Sequence, residues 1–129
     1  MAFKHTVTIY NSYEQDFKDI LVPKLMNGVH AEVTRGAGQA AEGDNNSSRL
    51  FVLIPFKGFK NGYRQPQEYC SAQDKSDIWT LAPGDIITVG NTEAADSFSE
   101  LAEKADVFRI TEIKVCDYGS IPHWEVTAL

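Results

Sequence analysis

The side chains best suited to catalysis are two cysteines and three histidines. They are Cys70, Cys116, His5, His30 and His123. Nucleophilic catalysis needs a thiol or hydroxyl beside a base, and Cys70 with His123 is the best candidate pair. Neither a GxSxG sequence nor a cysteine-protease signature accompanies that pair. We therefore expect no enzyme, and we expect both cysteines to be buried thiols, as is usual in intracellular chains.

The sequence also lacks a convincing motif for a metal ion or a cofactor. The sequence has neither HExxH nor an EF-hand loop, and its histidines are far apart. Residues 36–41, GAGQAA, fit a relaxed GxGxxA dinucleotide pattern, but polar EGDNNSS follows instead of a helix that would receive a pyrophosphate. Four acids near a predicted helix are attributed to its dipole and to solubility: Glu93, Asp96, Glu100 and Glu103. We expect no cofactor and no metal ion.

Three aromatic residues beside glycines form the remaining chemical signal. Phe56, Phe59 and Tyr63 could stack on a sugar or on the bases of a single-stranded nucleic acid. A net charge of −6, from 18 acidic and 12 basic residues, argues against a surface that follows a phosphate backbone. A β-fold module that binds sugars or oligonucleotides through these rings is therefore kept as an alternative function.

Size and hydrophobicity limit the elements that could position these residues. A chain of 129 residues with 43% hydrophobic content predicts a single domain covering residues 1–129. No apolar run is long enough to span a membrane, and the N-terminus alternates polar and apolar residues instead of resembling a secretory signal. We expect a protein that is made in the cytoplasm and does not contact a membrane.

Alternating or continuous apolar residues indicate a mainly β fold. Strands are predicted at residues 5–10, 20–26, 29–35, 50–56, 86–89, 107–115 and 121–128. Asn27-Gly28 predicts a tight hairpin, and Pro23 indicates that its first arm is an edge strand or is bulged at that point. Ser97 with Glu100 resembles a capping box and predicts one short helix near residues 97–105. Six or seven strands and one helix indicate a small β-barrel or sandwich.

A polar segment separates the third and fourth of these strands. Residues 36–48 contain three glycines and no large apolar side chain, which predicts a long mobile loop. We expect it to become ordered on contact with a neighbouring protein. Its candidate contact residues, which join the three aromatics above, are Gly36, Gly38, Glu42, Asp44, Asn45 and Asn46.

Several short motifs together resemble a known class of proteins. They are TVTIYN at 6–11, PQEY at 66–69, WTLAPGDIITVG at 79–90, FRITEIKVCD at 108–117 and HWEV at 123–126. In order and spacing they resemble small structural proteins of phages and prophages of Gram-positive bacteria. The chain is similar in size and strand pattern to head-closure, or stopper, proteins of the neck of long-tailed phages.

The resemblance implies a function in virion assembly. Head-closure proteins are small β-barrels that form a ring between the portal–adaptor complex and the tail. The implied partners are those proteins and further copies of this chain, with at most passive contact to DNA in a channel. A tail-completion or minor tail protein is the alternative within this class. In either case Asp85 would shape a turn, while Ile86, Ile87 and Val89 would fill the barrel.

Overall fold

Six antiparallel strands form the part of the protein that the structure describes. The computed structural model describes residues 3–35, 48–90, 97–104 and 106–129. The strands are β1 His5–Gln15, β2 Lys18–Thr34, β3 Arg49–Pro55, β4 Ile86–Val89, β5 Phe108–Cys116 and β6 His123–Ala128. They pair in the order β1-β2-β3-β6-β5-β4, and β4 also pairs with β1, so that one sheet closes into a ring, called the barrel below. The predicted mainly β fold is confirmed.

The helices are short and lie outside the strand order. Helix α1 is Pro66–Ser71 and helix α2 is Phe98–Lys104. The Oγ of Ser97 accepts a hydrogen bond of 3.1 Å from the backbone N–H of Glu100, which caps α2 as the sequence predicts. Among the described residues no helix is long and apolar enough to cross a membrane.

The hairpin predicted at Asn27-Gly28 is wrong, because β2 runs straight through that dipeptide. Gly28 has a φ of 91° and lies where the β1–β2 register shifts, between the pairs His5–Val29 and Thr6–Asn27. A glycine that adopts positive φ serves a bulge as well as a turn, so the dipeptide was compatible with both. The chain reverses instead through the two residues between Gln15 and Lys18.

The main hydrophobic core fills the barrel. It is formed by alternate residues of the strands together with Trp79 and Leu81, which lie between α1 and β4: Val7, Ile9, Met26, Val29, Leu50, Val52, Ile54, Ile87, Phe108, Ile110, Trp124, Val126 and Ala128. A second, smaller cluster joins Tyr10, Ile86 and Leu101, so α2 packs against β1 and β4. Strand β3 pairs on both sides, with β2 and β6.

The expectation that Ile86, Ile87 and Val89 all fill the barrel is only partly correct. Ile87 lies in the main core, whereas Ile86 lies in the cluster beneath α2. Successive side chains of a strand point to opposite faces, which separates these two neighbours. Val89, near the end of the short strand, is 46% exposed.

Candidate functional site

A two-stranded ribbon extends from the barrel. Residues 11–15 of β1 pair with residues 18–22 of β2, beyond the stretch of β1 that pairs with β4. This segment, residues 11–22, is called the ribbon below. The sequence predicts that β1 ends at Tyr10, so the ribbon is a feature that sequence reasoning missed.

Buried hydrogen bonds anchor the root of the ribbon. The Nδ2 of Asn11 donates to the carbonyl of Thr80 at 2.7 Å and to the carboxylate of Asp85 at 3.0 Å. The Oδ1 of Asn11 accepts a hydrogen bond of 3.0 Å from the backbone N–H of Thr80. Ser12 donates its hydroxyl to the other oxygen of Asp85 at 3.1 Å. Since Asn11 is 1% exposed, these bonds satisfy a buried amide and fix the direction in which the ribbon leaves the barrel.

Asp85 shapes its turn, as predicted, and also ties that turn to the ribbon. Its N–H donates to the carbonyl of Ala82 at 3.1 Å, and the preceding Gly84 has a φ of 95°. Burial raises the pKa of Asp85, and the hydrogen bonds from Asn11 and Ser12 offset only part of that rise. The carboxylate therefore links the turn to the ribbon. Its ionised form is less favourable in the folded protein than in the unfolded chain.

Both faces of the ribbon are covered near the barrel. On one face the ring of Tyr13 meets that of Tyr69 edge-on at 6.5 Å, and the Nζ of Lys75 lies 4.3 Å from the centre of the Tyr13 ring. On the other face Leu21 packs against the cluster beneath α2. Burial raises the pKa of the Tyr69 phenol to about 12. These contacts make the first half of the ribbon a rigid support.

The tip of the ribbon, residues 14–19, is exposed throughout. Phe17 at the turn is 97% exposed, the highest value among the large apolar residues that the structure describes. Asp16 and Phe17 have φ angles of 53° and 63°, which is the left-handed region. That region costs an L-residue roughly 1–2 kcal/mol. Positive φ at both central residues is what a two-residue type I′ hairpin turn requires, and Asp-Phe fits that requirement less well than Asn-Gly does. A fully exposed aromatic residue at such a turn is a candidate contact for a partner.

The three aromatic residues singled out from the sequence lie together at the barrel, but only partly as predicted. Each is partly buried and packs against the main core. Ring centres of Phe56 and Tyr63 lie 4.4 and 4.8 Å from that of Trp124. Phe59 contributes its carbonyl, which accepts a 3.1 Å hydrogen bond from the indole of Trp79. Trp124, which was not among the predicted residues, is the centre of this group.

A groove of about 370 Å³ opens beside these rings. Its lining includes Phe56, Tyr63 and Trp124 together with Lys60, Gln65 and Asp117. The Nζ of Lys60 lies 4.8 Å from the centre of the Phe56 ring. Aromatic walls with a few polar groups at the rim are typical of sites for flat or cyclic ligands.

The cysteine that accompanies His123 is Cys116 and not Cys70. Cys116, His123 and Glu125 place a sulfur, a nitrogen and an oxygen atom within 4.8 Å of one another. The Nδ1–H of His123 donates to the carbonyl of Ile121 at 2.7 Å, and the Nε2 lies 3.0 Å from the carboxylate of Glu125. Burial of a thiol is confirmed for Cys116 and is wrong for Cys70, which is exposed on α1.

The electrostatics of this trio favour an ion pair over nucleophilic catalysis. Partial burial lowers the pKa of His123, but hydrogen bonds to Ile121 and Glu125 outweigh it and leave that pKa raised. The hydrogen bond from His123 lowers the pKa of Glu125. Both ring nitrogens are thus engaged with oxygen atoms, so neither is placed to take a proton from the Cys116 thiol.

The other predicted contact residues lie outside the part of the chain that the structure describes. They are Gly36, Gly38, Glu42, Asp44, Asn45 and Asn46. Of the acids assigned to the surroundings of α2, Glu93 and Asp96 also lie outside it.

Fold and site together define a small closed β protein that carries an anchored, protruding ribbon. The chain belongs to the family described as "Family of unknown function (DUF6751)", whose model matches residues 2–129. No curated protein and no solved structure matches the chain.

Proposed function

We propose that this protein is a structural subunit of the head-to-tail interface of a phage virion and acts by protein–protein assembly. In this proposal it is a head-closure subunit, made in the cytoplasm of the bacterial host and built into a ring. The observation that carries the proposal is the exposed Phe17 at the tip of a rigid ribbon. Aromatic anchors at the centre of an interface supply much of its binding energy.

The ribbon suits this role because its root is already ordered. The buried hydrogen bonds of Asn11 and the packing of Tyr13 hold it in place before any partner arrives. A partner then gains the burial of Phe17 with little loss of conformational entropy in the ribbon. Catalysis has no part in this proposal.

The charges of the tip indicate the chemistry of the partner. Residues 14–19, EQDFKD, carry three carboxylates and one ammonium group around Phe17. A complementary surface would offer an apolar pocket with a rim of lysine or arginine. We propose that the portal–adaptor complex provides this pocket, while neighbouring copies and tail proteins contact the barrel.

Quantitative mass spectrometry of purified particles tests the assignment to the virion. The strain must carry this gene, and the abundance of the protein is compared with that of the portal. A fixed ratio close to that of the portal supports a neck ring, whereas a different fixed ratio favours a tail-completion or minor tail protein. Absence of the protein from intact particles would overturn the proposal.

Substitution of Phe17 tests the tip directly. A Phe17→Ala variant should fold normally but should reduce the yield of infectious particles at least tenfold, since truncating a central anchor costs about 2 kcal/mol or more. The matched control is Leu129→Ala, because Leu129 is another exposed apolar residue, at 60% exposure, on a different part of the surface. Normal titre with Phe17→Ala, or an equal loss with Leu129→Ala, would contradict the role of the tip.

The groove beside Trp124 favours a second candidate function, namely the binding of a sugar or oligonucleotide. A saturable affinity in a glycan or oligonucleotide screen should be weakened by Lys60→Ala at the rim and lost in a Phe56→Ala, Tyr63→Ala double variant, because both rings line the groove. Circular dichroism of the double variant separates loss of binding from loss of folding. Phe17→Ala is the control that should leave this affinity unchanged.

A further inference from the structure

We propose that Cys116, His123 and Glu125 form a binding site for a divalent cation of the zinc class. The site lies at the turn end of the β5–β6 hairpin and does not depend on the proposed function of the ribbon. The spacing of these residues in the sequence matches no metal-binding motif. Cys116 lies on β5, and the chain reverses direction before it reaches His123 and Glu125 on β6.

Strand pairing brings the three side chains to one face. Cys116 on β5 is the direct partner of His123 on β6. Glu125 stands two residues beyond His123, and residues two apart on a strand share a face. The ligands therefore come from a paired two-stranded framework, which holds them more firmly than a loop would.

The distances are close to those of an assembled site. Zinc binds nitrogen and oxygen at roughly 2.0–2.1 Å in tetrahedral geometry, which places such ligands about 3.3 Å apart. The Nε2 of His123 and the carboxylate of Glu125 are 3.0 Å apart, and the sulfur of Cys116 completes a set within 4.8 Å. Side-chain movements of roughly 1 Å would bring all three atoms to bonding distance of one ion.

The second hydrogen bond of His123 orients the ring for metal binding. Its Nδ1–H donates to the carbonyl of Ile121 at 2.7 Å, and a carbonyl can only accept. Nε2 is then the atom that gives up its proton when a cation binds, because metal binding to histidine requires the neutral ring and releases a proton, and Nε2 is the atom that faces Glu125. Histidine ligands of metals usually donate their other N–H to a carbonyl or carboxylate in this way.

Burial and ligand type favour zinc over calcium or magnesium. Cys116 is 1% exposed, while the side chains of His123 and Glu125 are 18% and 31% exposed, so the site opens to solvent on one side. A thiolate and a carboxylate balance the charge of a divalent ion, and sulfur with imidazole selects zinc among the common cations. The open side leaves a fourth position for water. Lys114, the exposed partner of Glu125, carries a charge that opposes the cation.

Cobalt titration of the purified full-length protein tests the site. Co²⁺ bound to a thiolate gives a sulfur-to-metal charge-transfer band in the near ultraviolet, and we expect it to saturate at one equivalent. Cys116→Ser should abolish this band, whereas Cys70→Ser, the matched control on the exposed cysteine, should retain it. Absence of the band in the unaltered protein, or its persistence in Cys116→Ser, would overturn the proposal.

Zinc calorimetry with two further variants keeps the test independent of folding. Glu125→Gln changes a partly exposed side chain and should weaken zinc binding at least about tenfold, since the loss even of a group that only supports a metal ligand costs about 10–100-fold in affinity. Lys114→Gln removes the opposing charge and should strengthen binding. Equal affinity in the unaltered protein and Glu125→Gln would refute the site even if Cys116→Ser failed to fold. Particle assembly is not measured here, so failure of the site leaves the proposed function of the ribbon untouched.

Discussion

The β1–β2 hairpin turns through Asp16 and Phe17, whereas the β5–β6 hairpin turns through residues 117–122. In the first hairpin the buried polar contacts lie at the root, around Asn11, and the tip exposes a phenylalanine. In the second hairpin the polar contacts lie at the turn end itself, where His123 bonds to Ile121 and Glu125. The first tip thus contributes little to folding and is available to a partner, while the second stabilises its own strands.

Two aromatic substitutions should give the largest contrast between these hairpins. Trp124→Ala on β6 removes a ring that contacts Phe56, Tyr63 and Trp79, and should lower the free energy of unfolding by about 3–5 kcal/mol. Phe17→Ala should change it by less than about 0.5 kcal/mol, as for an exposed surface residue. Urea unfolding measures both values. Comparable losses would show that the tip of the ribbon is part of the folded core.

The root of the ribbon should be the next most sensitive point. Asn11→Ala leaves the buried carboxylate of Asp85 and the backbone of Thr80 without their amide partner, so we expect a loss of about 2–3 kcal/mol. Asn27→Ala, on an exposed residue of the same strand pair, is the control and should cost less than about 1 kcal/mol. If the two substitutions had equal effects, the root would not be the anchor that the geometry suggests.

The strained turn should yield a gain in stability. Replacing Asp16-Phe17 by Asn-Gly places at both positions residues that accept positive φ, and should raise the free energy of unfolding by about 1 kcal/mol. The same variant should lose the assembly function, because it lacks the anchor. Thermal unfolding and particle yield measure the two effects. A variant that is no more stable would remove strain as evidence for the role of Phe17.

The pH dependence of Asp85 should give the smallest effect. Burial raises the pKa of Asp85 above its ordinary value of 3.8, so the folded protein holds this proton more tightly than the unfolded chain does. Its contribution to stability is therefore present at low pH and is lost as the pH rises through the folded pKa.

The measurement compares the unaltered protein with Asp85→Asn by urea unfolding from about pH 4 to about pH 7, the range above the ordinary pKa of Asp. Asn at this position does not titrate, so the stability of the unaltered protein relative to the variant should fall over this range. A relative stability that rises with pH would mean that the hydrogen bonds from Asn11 and Ser12 dominate over burial.

The strands were predictable because their apolar residues alternate or run together. β3 and β4 fall almost where the pattern of apolar residues places them, and the capping pair Ser97 and Glu100 located α2. The continuation of β1 to Gln15 was not predictable. Residues 11–15, NSYEQ, lack the apolar alternation of a strand, and their pairing depends on contacts such as Asn11 with Thr80, which lie 69 positions apart.

In the candidate sites, too, local patterns were predictable from the sequence and contacts between distant residues were not. Phe56 and Tyr63 were identified because aromatic residues beside glycines are visible locally. The grouping of Cys116 with His123 was missed because it depends on the β5–β6 register, which no local signal specifies. Phe17 was missed because a single aromatic residue in a polar stretch carries no periodic pattern.

One strand of the barrel leaves part of its backbone uncovered. Residues 18–29 of β2 pair only with β1 among the described residues, so one side of this stretch presents free edge groups. Unpaired strand edges act as templates on which another chain can add a strand, a hazard for proteins gathered at high local concentration. Pro23 lies in this stretch and has no N–H to offer such a strand. Pro23 therefore interrupts the row of N–H donors along this edge and makes it a poorer template for an added strand.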